Sequence, residues 1–133
     1  MGAMNPETLL WSMVLDLGSV AADDAIVAGA YAYFPRKAKL TNALIVDGAG
    51  IAASDSNHVQ IDLLNGANQV AEIDTRAAHE NGLTVDVAKA MNIVAAAATI
   101  AAASTLTVKY EETGTVTMTS AKMLLFGYWL EQV

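Results

Sequence analysis

From His58 towards Leu64 polar and apolar residues alternate, with Val59, Ile61 and Leu63 on one side and His58, Gln60 and Asp62 on the other. A period of two belongs to a strand with one buried face, because successive side chains leave a pleated backbone in opposite directions. Asn65-Gly66 follows at once. Asn and Gly accept the positive φ of a tight hairpin, so the chain is expected to reverse there. Gln69 to Thr75 is then the returning strand, with Val70 and Ile73 less regularly placed. A chain committed to an antiparallel hairpin needs further strands to cover it.

The rest of the sequence supplies them. Leu9 to Val20 places Trp11, Met13, Leu15 and Leu17 on one face, with Ser12 and Asp16 on the other. Ala25 to Phe34 is closed by Pro35, and Leu40 to Val46 ends at Asp47-Gly48-Ala49-Gly50. A loop runs through Ala53-Ser54-Asp55-Ser56-Asn57. Asn81-Gly82 signals a second turn, after which Leu83, Val85 and Val87 alternate with Thr84, Asp86 and Ala88 as a further strand. Leu106, Val108 and Tyr110 share a face, and Glu111-Glu112-Thr113-Gly114 turns the chain. Met123 to Val133 is apolar on both faces, with Leu125, Gly127 and Trp129 on one and Leu124, Phe126, Tyr128 and Leu130 on the other. That pattern fits a central strand or an interface edge.

Asp86 to Ala103 is ambiguous. Its runs Ala95 to Ala98 and Ala101 to Ala103 favour helix by propensity. Strand patterns on both sides favour strand, loop, strand; a short helix or irregular Ala-rich segment near 88–103 is the alternative. The total is about eight strands, spaced for an all-β sandwich or barrel. Residues 1–8 read as an N-terminal arm and 9–133 as one domain.

Composition narrows the function. With 7 basic and 14 acidic residues the chain carries a formal net charge of -7. Nucleic acid and anionic membrane surfaces repel such a chain, so neither is an expected partner. Without cysteine it has no disulfide and no thiolate ligand. Hydrophobic residues make up 54% and charged residues 16%, which points either to an Ala-rich core or to apolar surface covered by neighbouring subunits. Ala90 to Val108 has no charged residue but Lys109 follows it, and its polar Asn92, Thr99, Ser104, Thr105 and Thr107 argue against a membrane span.

Candidate chemistry is thin. His58 and His79, near Asp55, Asp62, Asp74 and Glu80, lack the spacing of a zinc site, and the sequence places them as exposed strand or turn residues. Ser54, Asp55 and His58 can be combined on paper into a triad, but no nucleophile elbow accompanies them. Ser and Asp in such a loop bind their own backbone. Asp23-Asp24 and Glu111-Glu112 are adjacent pairs, which strands direct to opposite faces. No catalytic residue, cofactor or metal is expected. Arg36, Lys37 and Lys39 are the one concentrated charge feature, a basic corner in an acidic chain.

Tyr33-Phe34-Pro35-Arg36-Lys37-Ala38-Lys39-Leu40-Thr41-Asn42-Ala43 is followed by Gly50-Ile51-Ala52-Ala53-Ser54-Asp55-Ser56-Asn57, then Val59-Gln60-Ile61-Asp62-Leu63 and Leu106-Thr107-Val108-Lys109-Tyr110. In this order the chain resembles the small jelly-roll proteins with which tailed phages decorate or cement their capsids. The resemblance covers Ala30 to Val133 and rests on strand and turn patterns. Ala101-Ala102-Ala103-Ser104 stands where that family has a Pro-Ala-Gly turn. The resemblance implies an eight-stranded antiparallel jelly-roll sandwich on the outer surface of a virion, made in the host cytoplasm. Its partners would be the major capsid protein and itself, as a dimer or trimer. Docking would use Arg36, Lys37 and Lys39 together with the arm at Asn5 and Pro6, which gains order along a neighbour. A head-fibre or carbohydrate-binding module is the alternative, with Trp11, Tyr31, Tyr33, Tyr128 and Trp129 as aromatic candidates.

Overall fold

The computed structural model describes residues 9–20, 25–76 and 82–130. The strands are β1 (Leu10–Val20), β2 (Ala25–Phe34), β3 (Ala38–Val46), β4 (His58–Asn65), β5 (Asn68–Asp74), β6 (Lys89–Ala90), β7 (Asn92–Ile93), β8 (Thr99–Ile100), β9 (Ser104–Thr113) and β10 (Met118–Trp129). They form two antiparallel sheets. One runs β1-β10-β3-β6, with β8 also paired to β3, and the other runs β2-β9-β4-β5-β7. With β6 and β8 counted as one edge position of the first sheet and β7 set aside, successive strands switch sheets except at the β4–β5 hairpin, which gives the strand order of a jelly roll.

Alternation places the core. Leu15 and Leu17 of β1, Leu40, Ala43 and Ile45 of β3, and Met123 and Leu125 of β10 face Val59, Ile61 and Leu63 of β4 and Leu106, Val108 and Tyr110 of β9. The Tyr110 hydroxyl donates to the Val116 carbonyl, which satisfies the one polar atom of a buried ring and ties β9 to the approach to β10. β10 lies between β1 and β3, so its two apolar faces belong to a central strand. At the end of β3 the buried Asp47 carboxylate accepts the Thr119 N–H at 2.8 Å and the Ala49 N–H at 3.1 Å, fixing the loop against β10.

One end of the interior is aromatic. Trp11 meets Phe34 edge-on at 5.0 Å, and Trp129 sits 6.0 Å from Trp11 and 6.1 Å from Phe34. Gly127 makes the space, since a Cβ there would collide with the Lys39 carbonyl and the Trp11 ring.

The structure revises three local readings. Leu83 to Ala88 is not a strand. Leu83 forms an isolated bridge to Ile51, and Val85 and Val87 are exposed around a turn at Asp86, whose φ is 56°. The alternation there has no neighbouring strand to pack it. The last strand begins at Met118, five residues before the apolar run, because its partner β1 extends far enough to pair Val20 with Met118. β9 continues through Glu111 and Glu112 to Thr113, and the reversal falls on Gly114 at φ 85°. The arm and Asn81 lie outside the described residues.

The Ala-rich segment is neither one helix nor one strand. It pairs with β3 as β6, crosses to β5 as β7, makes a short 3-10 turn at Ala95–Ala97, and returns to β3 as β8. Two backbone bonds stitch it to β3, Met91 N–H to Ala43 O at 2.8 Å and Leu40 N–H to Ala98 O at 2.9 Å. A third, Val94 N–H to Val70 O at 2.9 Å, stitches it to β5. This ribbon closes one side of the sandwich. Its buried Met91 and Ile100 join the core there, with Ile93 and Ala97 packed against it. No helix among the described residues is long and apolar enough to cross a membrane.

Candidate docking surface

The outward side chains of the first sheet form a regular array. Register places Leu10 opposite Tyr128, Ser12 opposite Phe126, and Val14 opposite Leu124, which in turn lies opposite Leu44. Leu10 and Val14 are 64% and 63% exposed, and Phe126 and Tyr128 are exposed beside them. Charge enters at the far end of the array, where Lys122 lies opposite Asp16 with 3.9 Å between Nζ and Oδ2. An open groove of about 430 Å³ runs over this face between Leu10, Ser12, Thr41, Asn42 and Phe126. Large contiguous apolar patches on a folded domain mark interaction surfaces.

The outer face of the second sheet differs in kind. The Asp62 carboxylate on central β4 accepts from Gln60 Nε2 at 3.1 Å and from Gln69 Nε2 at 2.7 Å. Lys109 pairs with Glu111 at 2.8 Å, and Asn92 Nδ2 donates to Glu72 at 2.9 Å. These neighbours cover β4, so Asp62 and His58 are buried although they point away from the core; His58 is only 8% exposed. The expectation of an exposed His58 fails for that reason. His58 lines an open depression of about 380 Å³ with Gln60, Asp74, Arg76, Glu111 and Glu112. Its Nδ1 is enclosed and has no hydrogen-bond partner. Asp74 is held by the Arg76 backbone N–H at 2.9 Å and the Arg76 guanidinium at 3.4 Å. Among the described residues no three His, Asp or Glu side chains are grouped to hold a metal ion.

Ser54 is engaged in its own loop. Its Oγ accepts the Asn57 N–H at 3.1 Å and the Ser56 N–H at 3.3 Å, as expected of a loop serine. His79, Glu80, Asp23 and Asp24 lie outside the described residues.

The basic corner is split. Arg36 lies over the Trp129 ring at 4.7 Å, so its guanidinium also braces the aromatic end of the core. Lys37 is exposed in the same turn, with its carbonyl accepting the Leu130 N–H at 2.8 Å. Lys39 stands on β3 across from Tyr128, at the margin of the apolar array. Asn5 and Pro6 are outside the described residues. The structure thus brings Lys39 to the apolar face, a juxtaposition that strand alternation alone does not reveal. Leu10 and Val14 also went unremarked in the sequence, although their period of two with Ser12 and Asp16 was the available signal. No protein-family model matches the chain, and no curated protein matches it in sequence.

Proposed function

We propose that this protein is a structural subunit of a phage particle, a decoration or cement protein that docks on the outside of the capsid and catalyses no reaction. The observation that carries the reading is the exposed apolar face of β1 and β10, set in a domain whose opposite face is polar and internally paired around β4. A chain with one apolar face has a direction in which to sit, and many copies on one shell turn a modest interface into firm attachment. Lys37 and Lys39 beside the apolar face would add attraction to an acidic coat surface. The sequence resemblance to jelly-roll decoration proteins supports the same reading.

Co-sedimentation with undecorated capsids tests it. Wild-type chain is expected to pellet with the particles up to a saturating stoichiometry. Leu10→Lys combined with Phe126→Lys should leave the fold intact and weaken binding at least about 100-fold, equivalent to about 2.7 kcal/mol. Equal binding by the double variant would remove the apolar face from consideration.

A second reading has its own observation. Tyr31 and Tyr33 of β2 are 56% and 55% exposed, two residues apart on one face of the second sheet. Such a pair can stack on sugar rings, as in a carbohydrate-binding module. Trp11 and Trp129, by contrast, are packed against the core. Glycan-array binding that disappears in Tyr31→Ala and Tyr33→Ala would favour this reading over capsid docking.

A further inference from the structure

Among the described residues the two sheets have four edges, and only one is both long and regular. β6, β7 and β8 are two residues each. β2 is interrupted by a register shift between Ile26 and Tyr31, with Gly29 at φ 80°. β1 runs in unbroken register from Leu10 to Asp16, and shifts only beyond it, around Gly18. Among the described residues no strand pairs with its outer side. Folded proteins blunt such edges with lysine, proline, bulges or covering segments. Leu9 to Leu15 has no proline and no charged residue at all.

We propose that the free edge of β1 pairs antiparallel with β1 of a second copy about a twofold axis at Ser12. Symmetry requires the same patch on both subunits, so the strand must complement itself. Side chains that share a face must also lie opposite each other. Centring on Ser12 meets both conditions: Leu10 lies opposite Val14 on the outer face, Trp11 opposite Met13 on the inner one, and Ser12 opposite itself. Leu10 and Val14 are the two most exposed apolar side chains of the face, and this register covers each with the other. Asp16 stays outside the paired stretch, so two acidic chains meet along an uncharged strip. Centring on Met13 instead sets Asp16 against Leu10. Centring on Val14 draws Asp16 into the pairing and runs the ladder into Gly18, whose φ of 63° breaks it. The Ser12 register joins the two first sheets into one, and the apolar faces of two copies become a single continuous surface. The pairing stands independently of the capsid reading.

The chain has no cysteine, so an introduced thiol reports one contact. Directly opposite residues of an antiparallel pair have Cα atoms about 4.5–5.5 Å apart, inside the disulfide range of about 4.4–6.8 Å. Ser12→Cys should form a disulfide dimer on mild oxidation, whereas Val14→Cys and, on the other sheet, Thr105→Cys should remain monomeric on a non-reducing gel. Sedimentation velocity of the wild-type chain should give a concentration-dependent dimer. Ser12→Lys sets two ammonium groups face to face and should raise the dimer dissociation constant at least about tenfold, with unchanged circular dichroism. A wild-type chain that stays monomeric overturns the proposal, as does preferential cross-linking through Val14→Cys. A dimer that ignores Ser12→Lys overturns it too. Capsid binding that survives when the dimer is lost would leave the docking face standing and sink the pairing alone.

Discussion

The region around β1 and β10 and the region around β4 and β5 are built from the same alternating strands, yet they end their alternation differently. Around β4 the outward residues are polar and find partners: Gln60 and Gln69 hold Asp62, and Asn92 of the crossing ribbon reaches Glu72. The ribbon also seals that side of the sandwich. Around β1 the outward residues are Leu10, Val14, Phe126 and Tyr128, and among the described residues no strand pairs along the edge beside them. A sheet face can complete itself within one chain through polar pairs, or it can leave apolar area to another molecule. The second sheet does the first around β4, whereas the first sheet keeps Leu10, Val14, Phe126 and Tyr128 exposed, which is why it is the one to test for partners.

The sharpest way to break the contrast is to truncate one aliphatic side chain in each region. Ile100→Ala empties a fully buried position in the sealing ribbon and should cost about 2–5 kcal/mol in denaturant-induced unfolding. Val14→Ala, on the open face, should change stability by less than about 0.5 kcal/mol. Comparable losses would mean that the open face is packed in the isolated chain. Next in size is a pair of carboxylates. Asp62→Ala takes the acceptor from two glutamine amides and should cost about 1–2 kcal/mol. Asp16→Ala, whose carboxylate is exposed beside Lys122 and accepts the Gly18 N–H at 3.0 Å, should cost no more than about 0.5 kcal/mol. The smallest effect separates brace from docking group in the basic corner. Arg36→Gln loses its place over Trp129 and should lower stability by about 0.5–1 kcal/mol. Lys37→Gln should leave the melting curve unmoved, yet flatten the salt dependence of capsid binding if the corner touches the coat.

Much of this architecture is legible in the residues themselves. The alternation of Val59, Ile61 and Leu63, the turn at Asn65-Gly66 and the run Leu106, Val108, Tyr110 specify strands, faces and a hairpin, because pleat and turn chemistry are local. The two apolar faces of the last strand fitted a central place or an interface edge, and the sheet order decides for the centre. Alternation held a signal for Leu10 and Val14 as well, in the period they share with Ser12 and Asp16, but that signal was passed over. It did not say whether another element of the chain would cover them, and that depends on which strands are neighbours. The same gap explains His58 and Asp62, which point outward by period and are buried by the side chains of β5 and β9. It explains Leu83 to Ala88, where a strand pattern finds no strand to join. The alanine runs are the plainest case: their propensity favours helix, but hydrogen bonds offered by β3 and β5 draw the segment into a ribbon between the sheets. Local sequence determined what each strand is and which way its side chains point. The tertiary structure alone decided which edge is sealed and which is open, because an edge is defined by the absence of a neighbour, and neighbours are set by contacts between residues far apart in the chain.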